Sequence, residues 1–178
     1  MESFQLELHP DKGSVHVALF KNVKNASDLR QRLLSQDTTL SVALVNATLV
    51  VSVFQILLAV NKAVHKEASG KLKTHKVNSE IVYDFSSTNN ISQSLRRYGV
   101  ADDSTTLIVI KVGGDPSEME NIMKTDVHGE IVSLSSIPEF TDMAAVKKYY
   151  QLNDKDLPND AEGLMPLIAG AMALKEVK

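Results

Sequence analysis

The chain has 178 residues, no cysteine and a formal net charge of −3 at pH 7. This length suffices for one domain with a full hydrophobic core, so we expect a single domain over residues 1–178. The lack of cysteine excludes disulfides, zinc–thiolate sites and thiol catalysis. The slightly acidic balance argues against a protein that binds nucleic acid over its whole surface, and leaves room for a local basic patch.

The N-terminal residues 1–4 carry neither a basic nor an apolar region, so we expect no secretory signal and a location in the cytoplasm or nucleus. Residues 38–61 are uncharged and long enough to span a bilayer. Polar residues interrupt this stretch, however, and Ser52 with Gln55 three positions later is a helix-start signal. We therefore predict a buried strand followed by a buried helix, and no membrane association.

The first elements follow from alternating and helical patterns. Apolar residues alternate with polar ones at 4–8 and 15–19, and the segment 9–13 between them has turn residues, which predicts a β-hairpin. Asn25 is placed to cap a helix. The apolar run 40–45 suits a buried strand.

In the middle of the chain, the sequence pattern predicts a helix, a strand and a second helix, in that order. The longest helix spans residues 52–69 and ends at Gly70, which suits a left-handed C-cap. Residues 81–85 are interpreted as the next strand. Asn90 then caps a short helix that Gly99 closes.

The last third begins with the apolar strand 105–112, followed by a helix start at Asp115. Residues 130–134 form a further candidate strand, Thr141 opens a helix, and a final helix covers residues 163–175. Strands and helices intermix without regular βαβ alternation. This order predicts an α+β fold with a mixed or mostly antiparallel sheet packed with several helices.

A glycine pair, Gly113 and Gly114, lies between a predicted strand and a predicted helix, which is the setting of an anion-binding helix start. The segment lacks the third glycine of a dinucleotide fingerprint and the Gly-Lys-Ser/Thr of a P-loop. An ordinary turn is favoured, and a small enzyme that binds a phosphate metabolite stays an alternative. We identify no catalytic residue, metal ligand or cofactor site, because the histidines lack metal-ligand spacing and no serine lies in a nucleophile motif.

Two segments have the composition of binding surfaces. Basic side chains cluster from the long helix to the end of the next predicted helix, which is half of a phosphate-binding patch; a solvated face is equally compatible with the charge statistics. The final helix has an apolar face interrupted by small residues that permit close approach of another backbone. Its glycines and Pro166 weaken an isolated helix, so it needs tertiary or partner contacts, of which packing on its own domain is favoured.

Four blocks of sequence carry a resemblance to a known family. They are F-K-N-V-K-N-A-S-D-L-R at 20–30, F-Q-I-L-L-A-V-N-K-A-V-H at 54–65, K-L-K-T at 71–74 with S-E-I at 79–81 and N-N-I-S at 89–92, and V-K-K-Y-Y-Q-L at 146–152. In this order, and over nearly the whole chain, they resemble the PRPK-binding protein (TPRKB) family, small subunits of the KEOPS complex.

The resemblance implies a non-enzymatic protein. Family members bind the small atypical kinase-like ATPase of KEOPS, and contact the other subunits through it. The complex helps to install threonylcarbamoyl-adenosine in tRNAs that read codons beginning with A, and another subunit performs the transfer. Related archaeal subunits are implicated in binding the 3′ CCA end of tRNA. A pure interaction adaptor without RNA contact remains the other alternative.

The resemblance also implies site residues. For tRNA we expect phosphate contacts from lysines and arginines and a donated hydrogen bond from a threonine hydroxyl, at Lys62, Lys71, Lys73, Thr74, Arg96 and Arg97. For the kinase we expect contacts from the apolar face of the final helix, at Leu164, Leu167, Ile168 and Leu174. Where the family usually has arginine after the threonine, this chain has His75, which is mostly neutral at pH 7.

Overall fold

A computed structural model describes residues 1–177. Its strands are β1 (Glu2–Gln5), β2 (Ser14–Lys21), β3 (Ala43–Asn46), β4 (Leu107–Val112) and β5 (Glu130–Val132). Its helices are α1 (Ala26–Leu34), α2 (Val53–Ala68), α3 (Val77–Asp84), α4 (Ile91–Tyr98), α5 (Pro116–Thr125), α6 (Ile137–Phe140), α7 (Met143–Tyr149) and α8 (Ala161–Leu174). This content confirms the predicted α+β class.

The five strands form one sheet in the order β1-β2-β4-β3, with β5 also pairing to β2, and every pairing is antiparallel. The central strands β2 and β4 are buried along nearly their whole length, which explains their apolar composition. The side chains of Val15, Val17 and Leu19 join the larger core, which α2, α3, α7 and α8 complete. Those of Ala18 and Phe20 join a smaller core under α1 and α5.

Most local signals at the helix ends are confirmed. The side chains of Ser52, Asn90 and Asp115 each accept a hydrogen bond from a backbone N–H in the first turn of their helix. Asn25 does not cap α1: its side chain binds the backbone of Asp126 and His128 and so ties α1 to the segment before β5. Among residues 1–177, no helix combines the length and apolarity that a bilayer crossing requires.

The predicted strand at 81–85 is wrong, because this segment belongs to helix α3. Residues 80–86 are all buried, so the helix is enclosed on every side by α2, α4 and the rest of the core. A short apolar run that is buried all round shows no helical periodicity and cannot be told from a strand by pattern alone. This misassignment hid two acidic residues, Glu80 and Asp84, that lie four positions apart on the same helix.

Asp84 lies at the centre of a buried ionic cluster. Lys66 of α2 donates through Nζ to Asp84 Oδ1 at 2.6 Å and to Glu80 Oε1 at 3.0 Å, and it also pairs with Glu176 after α8. The side chains of Glu80 and Asp84 are fully buried and that of Lys66 nearly so. One lysine therefore joins α2, α3 and the end of α8.

Two further lysines complete the cluster. Lys175 is fully buried, and its Nζ donates to the carbonyl oxygen of Tyr83 at 2.5 Å and lies 3.4 Å from Asp84 Oδ1. Lys62 donates through Nζ to the carbonyl oxygen of Met172 at 2.6 Å and lies 3.8 Å from Asp84 Oδ1. The formal charges of the three lysines and three carboxylates cancel.

Burial makes this cluster costly. It raises the pKa of Asp84 above the ordinary value, although Lys66 and Lys175 act in the opposite direction. Burial also lowers the pKa of Lys175 to about 8. Charges that are removed from water gain stability only when every partner is in place, so the cluster favours one arrangement of its three helices over all others.

Asp84→Asn should be strongly destabilising. It leaves three lysines facing two carboxylates, and the loss of one partner in a buried ion pair costs about 3–5 kcal/mol. Urea unfolding at neutral pH measures this cost. Asp103→Asn is the control, because this aspartate is exposed and forms no ion pair within residues 1–177, and we expect it to change stability by less than about 0.5 kcal/mol. Similar costs for the two variants would contradict a central role for Asp84.

Candidate nucleic-acid and partner surfaces

The basic loop, residues 71–76, connects α2 to α3. Gly70 has φ +64°, which a residue with a Cβ adopts at a cost, and it turns the chain so that the N–H of Lys71 donates to the carbonyl oxygen of Lys66 at 2.8 Å. The residues Lys71, Lys73 and Lys76 are exposed. Within residues 1–177 none of these three lysines forms an ion pair, so their charges face solvent without a counter-ion.

The buried Glu80 of α3 fixes the conformation of the basic loop from the side of the protein interior. Its Oε2 accepts hydrogen bonds from the N–H of Lys73 at 3.0 Å, from the N–H of Thr74 at 2.8 Å and from the Thr74 hydroxyl at 2.8 Å. Its Oε1 accepts from Lys66. Burial acts to raise the pKa of Glu80, but the hydrogen bonds from Lys66 and Thr74 outweigh it, and the net pKa is lowered.

This geometry changes the role of Thr74. The hydroxyl was predicted to donate a hydrogen bond to RNA, but it points into the protein, towards Glu80 and the carbonyl oxygen of Lys76. The hydroxyl proton is therefore engaged internally. Thr74 holds the backbone of the loop in place, and the lysines on either side carry the outward charge.

Lys62 is also turned inward. Its amine donates to the carbonyl oxygen of Met172 in α8, and its side chain is only 18% exposed. Burial lowers its pKa despite the attraction of Asp84. In this arrangement Lys62 supports the ionic cluster and the end of α8, and it offers little charge to a phosphate group outside.

Arg96 and Arg97 lie in the last turn of α4 and border a different surface. The guanidinium of Arg97 lies over the ring of Tyr149, 4.4 Å from its centroid. Two adjoining hollows of about 620 Å³ and 500 Å³ lie between α4 and α7, and Arg97 and Tyr149 line both of them. Within residues 1–177 no hydrogen bond or ion pair joins these arginines to the basic loop. The six predicted tRNA residues thus occupy three environments: loop, ionic cluster and groove.

The four residues predicted to contact the kinase lie on two faces of α8. Leu164 and Ile168 are fully buried in the larger core, whereas Leu167 is 40% and Leu174 55% exposed. The prediction that all four residues share one apolar face of the final helix is therefore wrong. Residues that are buried in the core cannot contact a partner while the helix stays in place.

An outer stripe of α8 includes the exposed Leu167, the half-buried Gly170 and the exposed Leu174, which follow one another at helical spacing. A Cβ built on Gly170 would meet no atom within 4 Å. The stripe is therefore a shallow notch between two exposed leucines. A neighbouring helix backbone could approach closely at this point.

Three carboxylates converge in a way that could suit a metal ion. Oxygens of Glu80, Asp84 and Glu176 lie within 4.8 Å of one another. The ammonium group of Lys66 already contacts all three. These acids therefore serve the ionic cluster, and their negative charge is neutralised by lysine.

The glycine turn before α5 gives little support to the phosphate-metabolite alternative. Gly113 and Gly114 have φ angles of +71° and +78°, as a tight turn requires. The carboxylate of Asp115 accepts from the N–H of Ser117 at 2.8 Å, and Glu118 lies next to Gly114. An anion at this helix start would meet two carboxylates.

Sequence reasoning missed the ionic cluster and the part that α7 plays in the groove. Glu80 and Asp84 have the i, i+4 spacing of one helix face, a signal that becomes visible only when residues 77–84 are assigned to a helix. Lys148 and Tyr149 lie in a block that was noted for resemblance alone. Their position opposite Arg97 depends on packing between distant segments.

Glu80→Gln should loosen the basic loop and destabilise the protein. The side-chain amide has one oxygen for two sets of donors, so its NH₂ must face either Lys66 or the loop. Since the pKa of Glu80 is lowered, its stabilisation is present above the ordinary value of 4.5 and is lost as the pH falls below it. We expect a cost of about 1.5–3 kcal/mol at neutral pH, and we expect this cost to shrink as the pH falls below 4.5.

Urea unfolding across this pH range and amide hydrogen exchange at Lys73 and Thr74 measure the two effects. Glu67→Gln is a matched control, because Glu67 pairs with Lys12 at the surface and contributes less than about 1 kcal/mol. An equal cost at every pH, or unchanged exchange at the two loop amides, would show that Glu80 does not hold the loop.

Comparisons with known proteins identify the family to which the chain belongs. The family model described as kinase binding protein CGI-121 matches residues 20–176. The EKC/KEOPS complex subunit CGI121 of Gibberella zeae is 39% identical over 99% of both chains. The EKC/KEOPS complex subunit TPRKB of Danio rerio is 37% identical over 89% of both chains, and the cgi121 subunit of Aspergillus fumigatus is 33% identical over 98% of this chain and 96% of its own. The chain belongs to the kinase binding protein CGI-121 family.

Proposed function

We propose that this chain is a non-catalytic subunit of a KEOPS complex. In this proposal it binds and regulates the PRPK-type atypical kinase directly and meets the other subunits through that kinase. It also helps to recruit tRNA for threonylcarbamoyl-adenosine formation, through the 3′ CCA end. The subunit names of its relatives support the assembly and the kinase contact.

One structural observation carries the proposal: two chemically different surfaces are supported by the same buried cluster. Glu80 holds the basic loop, whose lysines have the charge that phosphate groups require. Lys175, Lys62 and Glu176 hold the end of α8, whose outer stripe is apolar. One protein can therefore contact a polyanion and a partner protein at the same time.

The notch at Gly170 is the sharpest test of kinase binding. Truncation of α8 would expose the larger core, whereas Gly170→Trp adds a large side chain where the fold leaves open space. We expect the variant to fold normally and to bind the purified PRPK-type kinase at least about 10-fold more weakly, which corresponds to about 1.4 kcal/mol. Isothermal titration calorimetry measures the affinity.

Gly170→Ala is the matched control for this test. It raises helix propensity by up to about 1 kcal/mol and adds a single methyl group, so the variant should be slightly more stable and should retain kinase binding. Equal affinity of Gly170→Trp and the unmodified chain, with both folded, would show that the kinase binds elsewhere.

The basic loop is tested by the double variant Lys71→Glu, Lys73→Glu. If both lysines contact phosphates, the affinity for tRNA should fall, and the slope of its logarithm against the logarithm of salt concentration should decrease by about two. Fluorescence anisotropy with labelled tRNA at several salt concentrations measures both quantities.

The control for the loop variant is Lys24→Glu, Lys124→Glu. Both residues are exposed and form no ion pair within residues 1–177, so the double variant changes the net charge equally at other positions. We expect it to leave tRNA binding nearly unchanged. If the loop variant binds tRNA as tightly as this control, the loop does not contact tRNA, and the adaptor without RNA contact becomes the better description.

A further inference from the structure

We propose that His9 and His65 form a binding site for a divalent transition metal ion that prefers imidazole ligands, with Zn²⁺ as the representative ion. The two residues come from distant segments: His9 lies in the loop between β1 and β2, and His65 lies in the last turn of α2. Their ring centroids are 5.6 Å apart, and the ring planes are tilted by 51°. None of the residues assigned to tRNA or to the kinase takes part, so this site goes beyond the proposed function.

The distance between the two rings suits a bridge through one metal ion. Zinc binds an imidazole nitrogen at about 2.0–2.1 Å, which places the centroids of two imidazoles on one tetrahedral ion roughly 5 Å apart. The observed separation of 5.6 Å is close to this value. A small rotation of either side chain would therefore complete the bridge, and no movement of the backbone is needed.

The ring nitrogens of both histidines are free to bind an ion. Within residues 1–177 neither ring takes part in a hydrogen bond or an ion pair. His16, by contrast, is buried and has its Nδ1 2.7 Å from the Ser3 hydroxyl. His9 is half-buried and His65 is exposed, so an ion can reach both from solvent. Contact between two aromatic rings spans the same range of distances, so the free nitrogens are the feature that indicates a metal.

The backbone of both histidines is fixed before any ion binds. The N–H of His9 donates to the carbonyl oxygen of Leu6 at 3.0 Å, and the carbonyl oxygen of His9 accepts from the N–H of Lys12 at 3.0 Å. The carbonyl oxygen of His65 accepts from the N–H of Ser69 at 3.0 Å and from its hydroxyl at 2.8 Å. A metal ion would therefore order only the two side chains, which limits the loss of conformational entropy on binding.

The local charge favours a cation. Lys12 is the one lysine in the loop between β1 and β2, and its ammonium group pairs with Glu67 Oε2 at 3.1 Å. Glu7 and Asp11, two positions on either side of His9, are exposed and form no ion pair within residues 1–177. The loop therefore carries a net negative charge, which attracts a metal ion. The Lys12–Glu67 pair already joins the loop to α2, and a metal at the histidines would add a second link between the same two elements.

The ligand set determines the class of metal. Imidazole is a ligand of zinc, copper and nickel, whereas magnesium and calcium need oxygen ligands. Within residues 1–177 no third histidine or acidic side chain converges on this pair, so the other coordination positions go to water. With two ligands from the protein, we expect a zinc affinity in the micromolar range and no binding of magnesium.

Isothermal titration calorimetry of the full chain with zinc chloride tests the site. We expect His9→Ala and His65→Ala each to weaken zinc binding at least about 10-fold, because each variant removes one of the two ligands. Zinc at about 100-fold above its Kd should raise the Tm of the unmodified chain by about 5 °C or more, because the complete site exists only in the folded chain. Zinc should also slow amide hydrogen exchange in the loop 6–13. Neither effect should occur in the two alanine variants.

Matched variants separate the site from general binding to surface histidines. His75→Ala and His128→Ala remove exposed histidines that contact no other ring within residues 1–177, so both should bind zinc as the unmodified chain does. His65→Cys supplies a thiolate, which also binds zinc, and the chain has no other cysteine. This variant should therefore bind zinc although His65→Ala does not. Urea unfolding without zinc checks that every variant is folded, and magnesium chloride should give no binding.

Zinc binding that is lost in both alanine variants and kept in the two control variants supports the site. If the unmodified chain binds no zinc, the proposal is overturned. It is also overturned if either His9→Ala or His65→Ala binds zinc as tightly as the unmodified chain, because one metal then does not join the two residues. An equal loss in the control variants would show unspecific binding to surface histidines and would overturn it as well. None of these outcomes changes the tRNA and kinase experiments, so the proposed function is tested separately.

Discussion

The position of Asp84 determines how the helical half of the molecule is assembled. Its carboxylate is fully buried, and Lys62, Lys66 and Lys175 approach it from α2 and from the end of α8. Burial raises the pKa of Asp84, although these three cations act in the opposite direction. Such a cluster contributes little net stability compared with an apolar core, but it penalises any arrangement in which one partner is missing.

The same constraint links the surfaces that lie above it. Lys66 contacts Glu80, which holds the backbone of the basic loop, and Glu176, which follows α8. Neither the loop nor α8 has an independent position, because both are fixed against one ammonium group. The loop is short and its lysines repel one another, so it would be mobile in water without this anchor. The buried carboxylate of Glu80 holds the loop backbone in one conformation by accepting its hydrogen bonds.

Features that depend on neighbouring residues could be predicted from sequence, and those that depend on packing could not. The caps at Ser52, Asn90 and Asp115 and the hairpin of β1 and β2 are local, and they are confirmed. Helix α3 was missed because burial on every side removes its periodicity. With α3 assigned to a strand, Glu80 and Asp84 fall on no common helix face, and the ionic cluster cannot be inferred.

The types of residue in the sequence also indicated the candidate surfaces. They did not indicate the direction in which each side chain points. Lys62 and Thr74 carry the groups expected of RNA contacts, yet both are used internally. Leu164 and Ile168 have the character of interface residues, yet they complete the core. A cation differs from its neighbours by whether it has an acidic partner: Arg32 is neutralised by Asp37 and Asp126, whereas Arg97 lies over an aromatic ring and forms no ion pair within residues 1–177. An acidic chain can therefore offer a polyanion a favourable site, because the local balance of paired and unpaired charge decides the attraction at contact distance.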